Sequence, residues 1–249
     1  MSAESDHELA ARLAEDAGKL LLALRGQISD AAELKAAGDR DANVLILAGL
    51  AEARPDDPIL SEESDDDSAR HGAARVWIVD PLDGTREFGE AGRTDWAVHV
   101  ALAERGRATV GAVALPARDL VLSTDPAPIV PPRPDGPVRL LVSRSRPPAV
   151  AEHLAAGLEA ELVPMGSAGA KTMAVVLGDG DVYAHSGGQF QWDSAAPVAV
   201  ALAAGLHATR LDGTPLVYGE PDPWLPDLLV CRPELAPSVQ TALRGMTSV

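Results

Sequence analysis

Three acidic segments, far apart in the chain, carry the residue types from which an oxygen-only metal cage is built: Ser61-Glu62-Glu63-Ser64, Asp80-Pro81-Leu82-Asp83-Gly84-Thr85 and Trp192-Asp193-Ser194-Ala195-Ala196. Carboxylate and carbonyl oxygens suit hard cations such as Mg²⁺, and two or more such ions can hold an attacking water and a leaving oxygen in line. That combination points to phosphate ester hydrolysis. No single segment carries the argument, since an isolated Asp83-Gly84 reads most simply as a tight turn.

The middle segment has local structure of its own. Val76-Trp77-Ile78-Val79 is a short apolar run of strand formers, and the proline after Asp80 is expected to end it, leaving Asp80 at the strand's C-terminal edge. Asp83 can turn back toward the same point. Gly84 and Thr85 then offer backbone N–H groups at a helix start, where a phosphate is favoured.

Taken in order, Glu62-Glu63, Asp80 to Thr85 and Trp192 to Ala196 resemble the signature of the inositol monophosphatase superfamily of lithium-sensitive, magnesium-dependent phosphatases. A looser likeness runs from the first helix to Tyr218, and within the superfamily the chain is most similar to the bacterial 3′-phosphoadenosine 5′-phosphate phosphatases. The resemblance implies an α/β fold, a layered αβαβα sandwich of the inositol monophosphatase and fructose-1,6-bisphosphatase type. It implies Glu62 as the first carboxylate ligand, Asp80 as the bridging one, Asp83 and Asp193 completing the second metal position, and the Leu82 carbonyl as a backbone ligand. Together these would hold two or three Mg²⁺ ions, one of whose waters would be the nucleophile. Thr85 and Asp39 would act on that water as general base and orienter. The chain departs from the pattern at Lys35-Ala36-Ala37-Gly38-Asp39, where alanine replaces the family's threonine, so Asp39 also fits a plain helix cap at the start of a helix from about residue 40. Glu63 either touches a metal or stands behind the ligands. Asp65-Asp66-Asp67 reads as a solvated loop, and Asp179 and Asp181 as turn residues.

The same resemblance bears on substrate. Arg86-Glu87-Phe88 and the segment Gly166-Ser167-Ala168-Gly169-Ala170-Lys171 lean toward the nucleotide phosphatases, which places Gly84, Thr85, Gly166, Ser167 and Lys171 beside substrate. Lys171 is one of three lysines in a chain with eighteen arginines, which suggests a compact charge near phosphate; a surface lysine is the alternative. Ser143-Arg144-Ser145-Arg146 can supply charge for a second phosphate or be a solvated loop. Seven residues before Asp193 stands Ser186, where inositol phosphatases typically carry glutamate. The implied reaction is removal of the 3′-phosphate from 3′-phosphoadenosine 5′-phosphate to give AMP, with phosphoadenosine phosphosulfate as a further substrate, in sulfate assimilation. Inositol monophosphate or fructose 1,6-bisphosphate hydrolysis by the same metals is the alternative. A silent binding module is disfavoured by the full set of carboxylates. With 3% aromatic residues the chain can offer a base only a contact such as Phe190 or Tyr218.

Elements that position these residues follow from pattern. Ser5 and Glu8 form a capping box ahead of Leu9, Leu13, Ala17, Leu20 and Leu24 at helical spacing, and a second helix is expected from about Arg40 to Ala53 with Val44, Leu47 and Leu50 on one side. Strands are expected at Ile59-Leu60, Val76 to Val79, Trp96 to Leu102, Ala108 to Leu115 and Leu120 to Ser123. Six of the thirteen residues from Asp125 to Pro137 are proline, an extended linker that divides an N-terminal α+β half (1–130) from a C-terminal α/β half (138–249). Beyond it, strand-like and helix-like segments alternate, among them helices at Ala149 to Leu158, Ala168 to Leu177 and Ser194 to Ala204.

The chain of 249 residues, 46% hydrophobic, can bury a large core, and its net charge of −16 disfavours binding to nucleic acid or anionic lipid. One cysteine, Cys231, and no basic-then-apolar leader suggest a soluble cytoplasmic protein without a membrane span. A homodimer is the expectation from the resemblance. Gly169-Ala170-Lys171-Thr172 lacks the upstream glycine of a nucleotide-binding P-loop, the histidines lack zinc-ligand spacing, and His99 reads as a packed core residue.

Overall fold

The computed structural model describes residues 4–145 and 147–246. Helix α1 (Asp6–Gln27) starts at the expected capping box: Ser5 Oγ accepts the Glu8 N–H at 3.2 Å while the Glu8 carboxylate accepts the Ser5 N–H at 2.8 Å. It buries Leu9, Leu13, Ala17 and Leu21. Helix α2 (Ala31–Ala53) begins nine residues earlier than the sequence suggested, because the alanine-rich stretch after Asp30 is itself a good helix former and Asp30 caps it through the N–H groups of Ala32 and Glu33. Its buried stripe is Leu34, Gly38, Ala42, Ile46 and Leu50, and Val44, expected inside, is 63% exposed.

The first sheet contains β1 (Ile59–Ser61), β2 (Arg75–Asp83), β3 (Ala97–Glu104), β4 (Arg107–Leu115) and β5 (Leu120–Ser123) in sequence order. Strand β1 runs parallel to β2, and the rest is an antiparallel meander. A four-residue turn, α3 (Thr85–Phe88), follows β2. Pro81 does not end β2 as expected. The ladder is regular through Asp80↔His99, slips, and resumes at Asp83↔Ala97, so the proline, which has no N–H to donate, sits in the irregularity.

After the proline-rich segment come β6 (Arg139–Ser143), α4 (Ala149–Leu158), β7 (Glu161–Met165), α5 (Ala168–Leu177), β8 (Val182–Phe190), α6 (Gln191–Ala203), β9 (His207–Thr209), β10 (Trp224–Cys231) and α7 (Ala236–Met246). The sequence pattern gave no sign of β9 or α7. The second sheet has the order β7-β6-β8-β10-β9, with β6 parallel to both neighbours and the others antiparallel.

Burial separates these elements into layers. Trp77, Val79, Val98, Val100 and Leu102 face α1 and α2 in one apolar cluster. The intervening Val76, Ile78, Ala97, Ala101 and Ala103 face a central cluster with residues of α5, α6 and the second sheet. A third cluster joins the far face of the second sheet to α4 and α7. The result is an αβαβα sandwich. Along β3 the large side chains point to the outer helices and the alanines to the middle layer, where α6 crosses; the one polar side chain among those inward positions is His99, fully buried. Among the described residues no helix is long and apolar enough to cross a membrane.

Candidate active site

Glu62, Asp80, Asp83 and Asp193 meet where the first sheet faces the middle layer. Glu62 follows β1 and donates its backbone N–H to Val79 O at 3.2 Å, which holds it beside the end of β2. Asp80 and Asp83 occupy the last positions of β2, 1% and 8% exposed, and Asp193 lies in the first turn of α6 with its carboxylate receiving the Phe190 N–H at 2.6 Å. The four are close enough to disturb one another. Burial, and then Asp83, Glu62 and Asp193, push the Asp80 carboxyl well above its ordinary range. Burial and the Asp193 charge raise Glu62 to about 7, although the residue keeps an exposed edge, and burial with the Asp83 charge raises Asp193 to about 7.

His99 completes this cluster and is the functional candidate that the sequence did not single out. Its Nδ1 is 3.1 Å from Trp192 O, which can only accept, so Nδ1 carries the proton. The bare Nε2 then faces Asp83 Oδ2 at 3.3 Å, lone pair to lone pair, while burial keeps the ring's pKa below its usual value. Ligand atoms of Asp80, Asp83 and His99 all lie within 4.8 Å of one another, and both Asp80 Oδ2 and His99 Nε2 are buried without a hydrogen-bond partner. Like charges crowded around unpaired lone pairs are what a hard cation relieves, so the residues fit a metal. Extending β2 to Asp83 would have found His99, because that register sets it directly opposite Asp80.

Asp83 also reaches across to the second half of the chain. Ser167 Oγ donates to its Oδ2 at 2.5 Å, and the N–H groups of Ala168 and Gly169, at the start of α5, lie 3.2 and 2.6 Å from its two oxygens. Gly169 is required there, because a Cβ would sit 1.9 Å from His99 Nε2. Ser167 caps α5 through the Ala170 N–H at 2.9 Å. Gly84, at φ 87°, passes close under Ser167.

Lys171 is no surface lysine. It is 5% exposed, its Nζ donates to Gly166 O at 3.1 Å and Ser167 O at 2.6 Å, and it lies 5.1 Å from the centre of the Tyr183 ring. Burial lowers its pKa while Asp83 and other carboxylates oppose the shift. Gly166 donates its N–H to Asp95 Oδ2 at 2.5 Å and packs against Glu87.

Asp39 and Thr85 are brought together. Thr85 Oγ1 lies 3.2 Å from Asp39 Oδ1 and 3.0 Å from Leu82 O, so one hydroxyl proton is shared between a carboxylate and the carbonyl of the ligand-bearing segment. Asp39 stands well inside α2 and cannot be its cap; the cap is Asp30. Burial, and then the Glu63 charge, raise Asp39 to about 6, against the Thr85 hydrogen bond. With Asp39 accepting the Thr85 proton, the hydroxyl oxygen is free to accept one from a water.

Other expected residues sit differently. Ser143 lines the adjoining cavity with Asp83, Ser167, Lys171 and Asp193. Arg144 is held by Glu87 and Glu90, each at 2.6 Å. Arg146 lies outside the described residues. Glu63 remains at the exposed rim, with its carbonyl receiving the Asn43 amide at 3.3 Å. The loop at Asp65 to Asp67 is exposed, as expected, and Asp66 in it also pairs with the buried Arg70. Tyr218 is buried with its hydroxyl on Ser194, at 3.2 Å, and is not among the residues lining the cavity. Asp181 lies in the loop before β8, as expected, but is also a buried acceptor for Arg139 and Arg232.

A divalent cation in such a cage supplies positive charge that lowers the pKa of a bound water and offsets charge on phosphoryl oxygens. The residues that would hold such an ion are the clustered carboxylates, while the Thr85–Asp39 pair would orient a water and the Ser167–Lys171 segment lies beside the cavity.

Comparison with known proteins agrees. Residues 5–126 and 138–244 match the inositol monophosphatase family, the gap falling in the proline-rich segment. The chain is 53% identical over 238 residues to a 3′-phosphoadenosine 5′-phosphate phosphatase of Mycobacterium bovis, covering 92% of this chain and 89% of that protein. It is 33% identical over 193 residues to the 3′(2′),5′-bisphosphate nucleotidase CysQ of Escherichia coli, covering 73% and 78%. Among solved structures it resembles CysQ from Bacteroides thetaiotaomicron with a TM-score of 0.78 at 27% identity, covering 92% of this chain and 97% of that one. The fold also matches inositol monophosphatase II from Staphylococcus aureus, with a TM-score of 0.80 at 20% identity over 97% and 96% of the two chains. The crowded carboxylates at the end of β2, the paired Thr85 and Asp39, and these likenesses lead to one statement: the chain belongs to the inositol monophosphatase family, whose members are metal-dependent phosphatases.

Proposed function

We propose that this protein is a Mg²⁺-dependent phosphatase that removes the 3′-phosphate of 3′-phosphoadenosine 5′-phosphate, releasing AMP and phosphate. The observation that carries the substrate is the pairing of the carboxylate cage with a cavity of about 510 Å³ whose wall includes Ser143, Ser167 and the buried Lys171, in a chain half-identical to a phosphatase named for that nucleotide. Four carboxylates and the Leu82 carbonyl are donors enough for two or three Mg²⁺ ions that keep some of their waters. In this reading Gly84, Thr85, Gly166 and Ser167 shape the phosphate site and Lys171 supplies positive charge beside it. Arg144 would reach the substrate only by leaving Glu87 or Glu90. A cytoplasmic homodimer accompanies the proposal, and light scattering of the purified protein tests its mass.

The direct test is phosphate release with Mg²⁺ on 3′-phosphoadenosine 5′-phosphate, inositol 1-phosphate and fructose 1,6-bisphosphate. A kcat/KM highest for the nucleotide is expected. A preference for either sugar phosphate would keep the cage and overturn the substrate.

A further inference from the structure

The buried stripe of α2 is leucine, isoleucine, alanine and glycine with one polar exception, Asn43, which is 8% exposed. Asparagine is a poorer helix former than alanine or leucine, and a buried carboxamide has to find partners. All of its side-chain bonds go to the four residues from Ser61 to Ser64. Ser61 Oγ donates to Asn43 Oδ1 at 2.8 Å, and Asn43 Nδ2 donates to Glu63 O at 3.3 Å and to Ser64 Oγ at 3.1 Å. The Glu63 carbonyl can only accept, so Nδ2 faces it and Oδ1 is left for the serine.

These contacts bracket Glu62. The residue before it and the two after it are tied to one side chain of α2, and the Ser64 N–H reaches Ser61 O at 3.4 Å, which makes the four residues a turn with Glu62 in second place. The other ligand candidates have restraints of their own: Asp83 receives Ser167, Ala168 and Gly169, and Asp193 receives the Phe190 N–H. The Glu62 carboxyl has only Asp80, another acid, so holding it against the repulsion of the cluster falls to its neighbours in the chain. Asp39 stands four residues before Asn43, one turn away along α2, and accepts the Thr85 hydroxyl at 3.2 Å. One helix therefore holds the Glu62 turn with one side chain and the Thr85 hydroxyl with another.

We infer that Asn43 is a positioning residue: by pinning Ser61, Glu63 and Ser64 it keeps Glu62 within reach of a divalent cation held by Asp80, in register with the hydroxyl that Asp39 holds. The inference rests on the metal reading above. Without Asn43 the turn is free to carry Glu62 away from the other carboxylates, and the repulsion among them opposes its return. Partners that orient a ligand from behind typically set about 10- to 100-fold in metal affinity.

The experiment measures the Mg²⁺ dissociation constant, from the rise of the thermal midpoint with Mg²⁺ in the absence of substrate, for the wild type, Asn43→Leu, Ser61→Ala, the double variant, and Asp181→Asn as a control for stability lost elsewhere. Asn43→Leu is expected to lower the metal-free midpoint, which a purely structural pin would also do, and to weaken Mg²⁺ binding about 10- to 100-fold, which it would not. With Mg²⁺ raised accordingly, kcat on 3′-phosphoadenosine 5′-phosphate returns to near the wild-type value and KM for the nucleotide is unchanged, because every carboxylate is still present. Ser61→Ala removes one bond of three and weakens Mg²⁺ binding by less; added to Asn43→Leu it makes no further difference. Asp181→Asn loses stability and keeps the wild-type constant. If the leucine variant does not fold, Ser61→Ala and Ser64→Ala carry the comparison. An unchanged constant in Asn43→Leu, or in both serine variants where the leucine variant is unfolded, assigns Asn43 to structure alone and leaves the cage standing. A wild-type midpoint that does not respond to Mg²⁺ removes the cage and the inference with it.

Discussion

Asp80 and Asp181 are both buried aspartates, and their surroundings are opposite. Asp181, on the loop before β8, receives the backbone N–H of Arg139 at 2.9 Å, the Arg139 guanidinium at 2.9 and 3.1 Å, and Arg232 Nε at 3.1 Å. Burial raises its pKa, but the Arg139 hydrogen bonds more than reverse that, and the carboxyl ends below its ordinary range. Arg232 also donates to Pro131 O at 3.0 Å, so the cluster fastens the proline-rich segment to the second sheet. Asp80 has no arginine. Its neighbours are Asp83, Glu62 and Asp193, and one of its oxygens is unpaired. A buried acid surrounded by cations is structural, whereas one surrounded by other acids is stable only with help from outside the chain.

The contrast predicts divergent variants. Asp181→Asn leaves Arg232 buried without its counter-charge and is expected to cost about 3–5 kcal/mol of folding stability, with activity per folded molecule retained; denaturant titration measures it. Asp80→Asn is expected to lower kcat/KM at least about 100-fold, or about 2.7 kcal/mol in the barrier, while the metal-free protein becomes no less stable because a repelling charge is gone. A normal rate in Asp80→Asn would refute the cage. Smaller is the pH effect. Glu62 and Asp193, raised to about 7, and Asp80, raised further, bind protons more tightly folded than unfolded. Their contribution is therefore fully present below the unfolded carboxylate range and is lost as pH rises through the folded values. In EDTA the thermal midpoint should fall between about pH 5 and pH 7.5, and Mg²⁺ should restore it at the upper end; a rise in EDTA over that range would contradict the crowding. The least effect belongs to Asp179, two residues from Asp181, whose bond to Arg118 at 2.9 Å is solvent-exposed. Asp179→Asn should change stability by about 0.5 kcal/mol or less.

Asp179 and Asp181 also show where sequence reasoning stops. Both stand in a Gly-Asp-Gly-Asp string that looks like a turn, and nothing local says that β6 and Arg232 will close around the second aspartate. The elements flanking the site were legible wherever a local signal existed: the capping box of α1, the apolar run of β2, and α5, whose bounds coincide with the expected Ala168 to Leu177. The start of α2 was not, because Asp39 and Asp30 are equally good caps and only the packing of Gly38 and Leu34 distinguishes them. That the carboxylates converge could be expected from the resemblance alone, since no spacing rule joins Glu62 to Asp193. His99 escaped because a histidine on an alternating strand is usually core; here it is core and site together.

The hydrogen bonds from Ser167, Ala168 and Gly169 to Asp83 give one carboxylate two employers. In the proposed cage it would hold a metal, and it also ties the first sheet to the start of α5, whose residues line the cavity. Altering Asp83 to change which cation is preferred therefore loosens the join between the halves as well. Glu62, at the exposed rim, is held by its backbone bond to Val79 O and a side-chain hydrogen bond to Asp80, both within the first sheet, and so does not tie that sheet to the second half of the chain. A selection for altered metal preference should accordingly accumulate changes at position 62 first and leave position 83 untouched, so the site's evolvability is concentrated at its solvent edge.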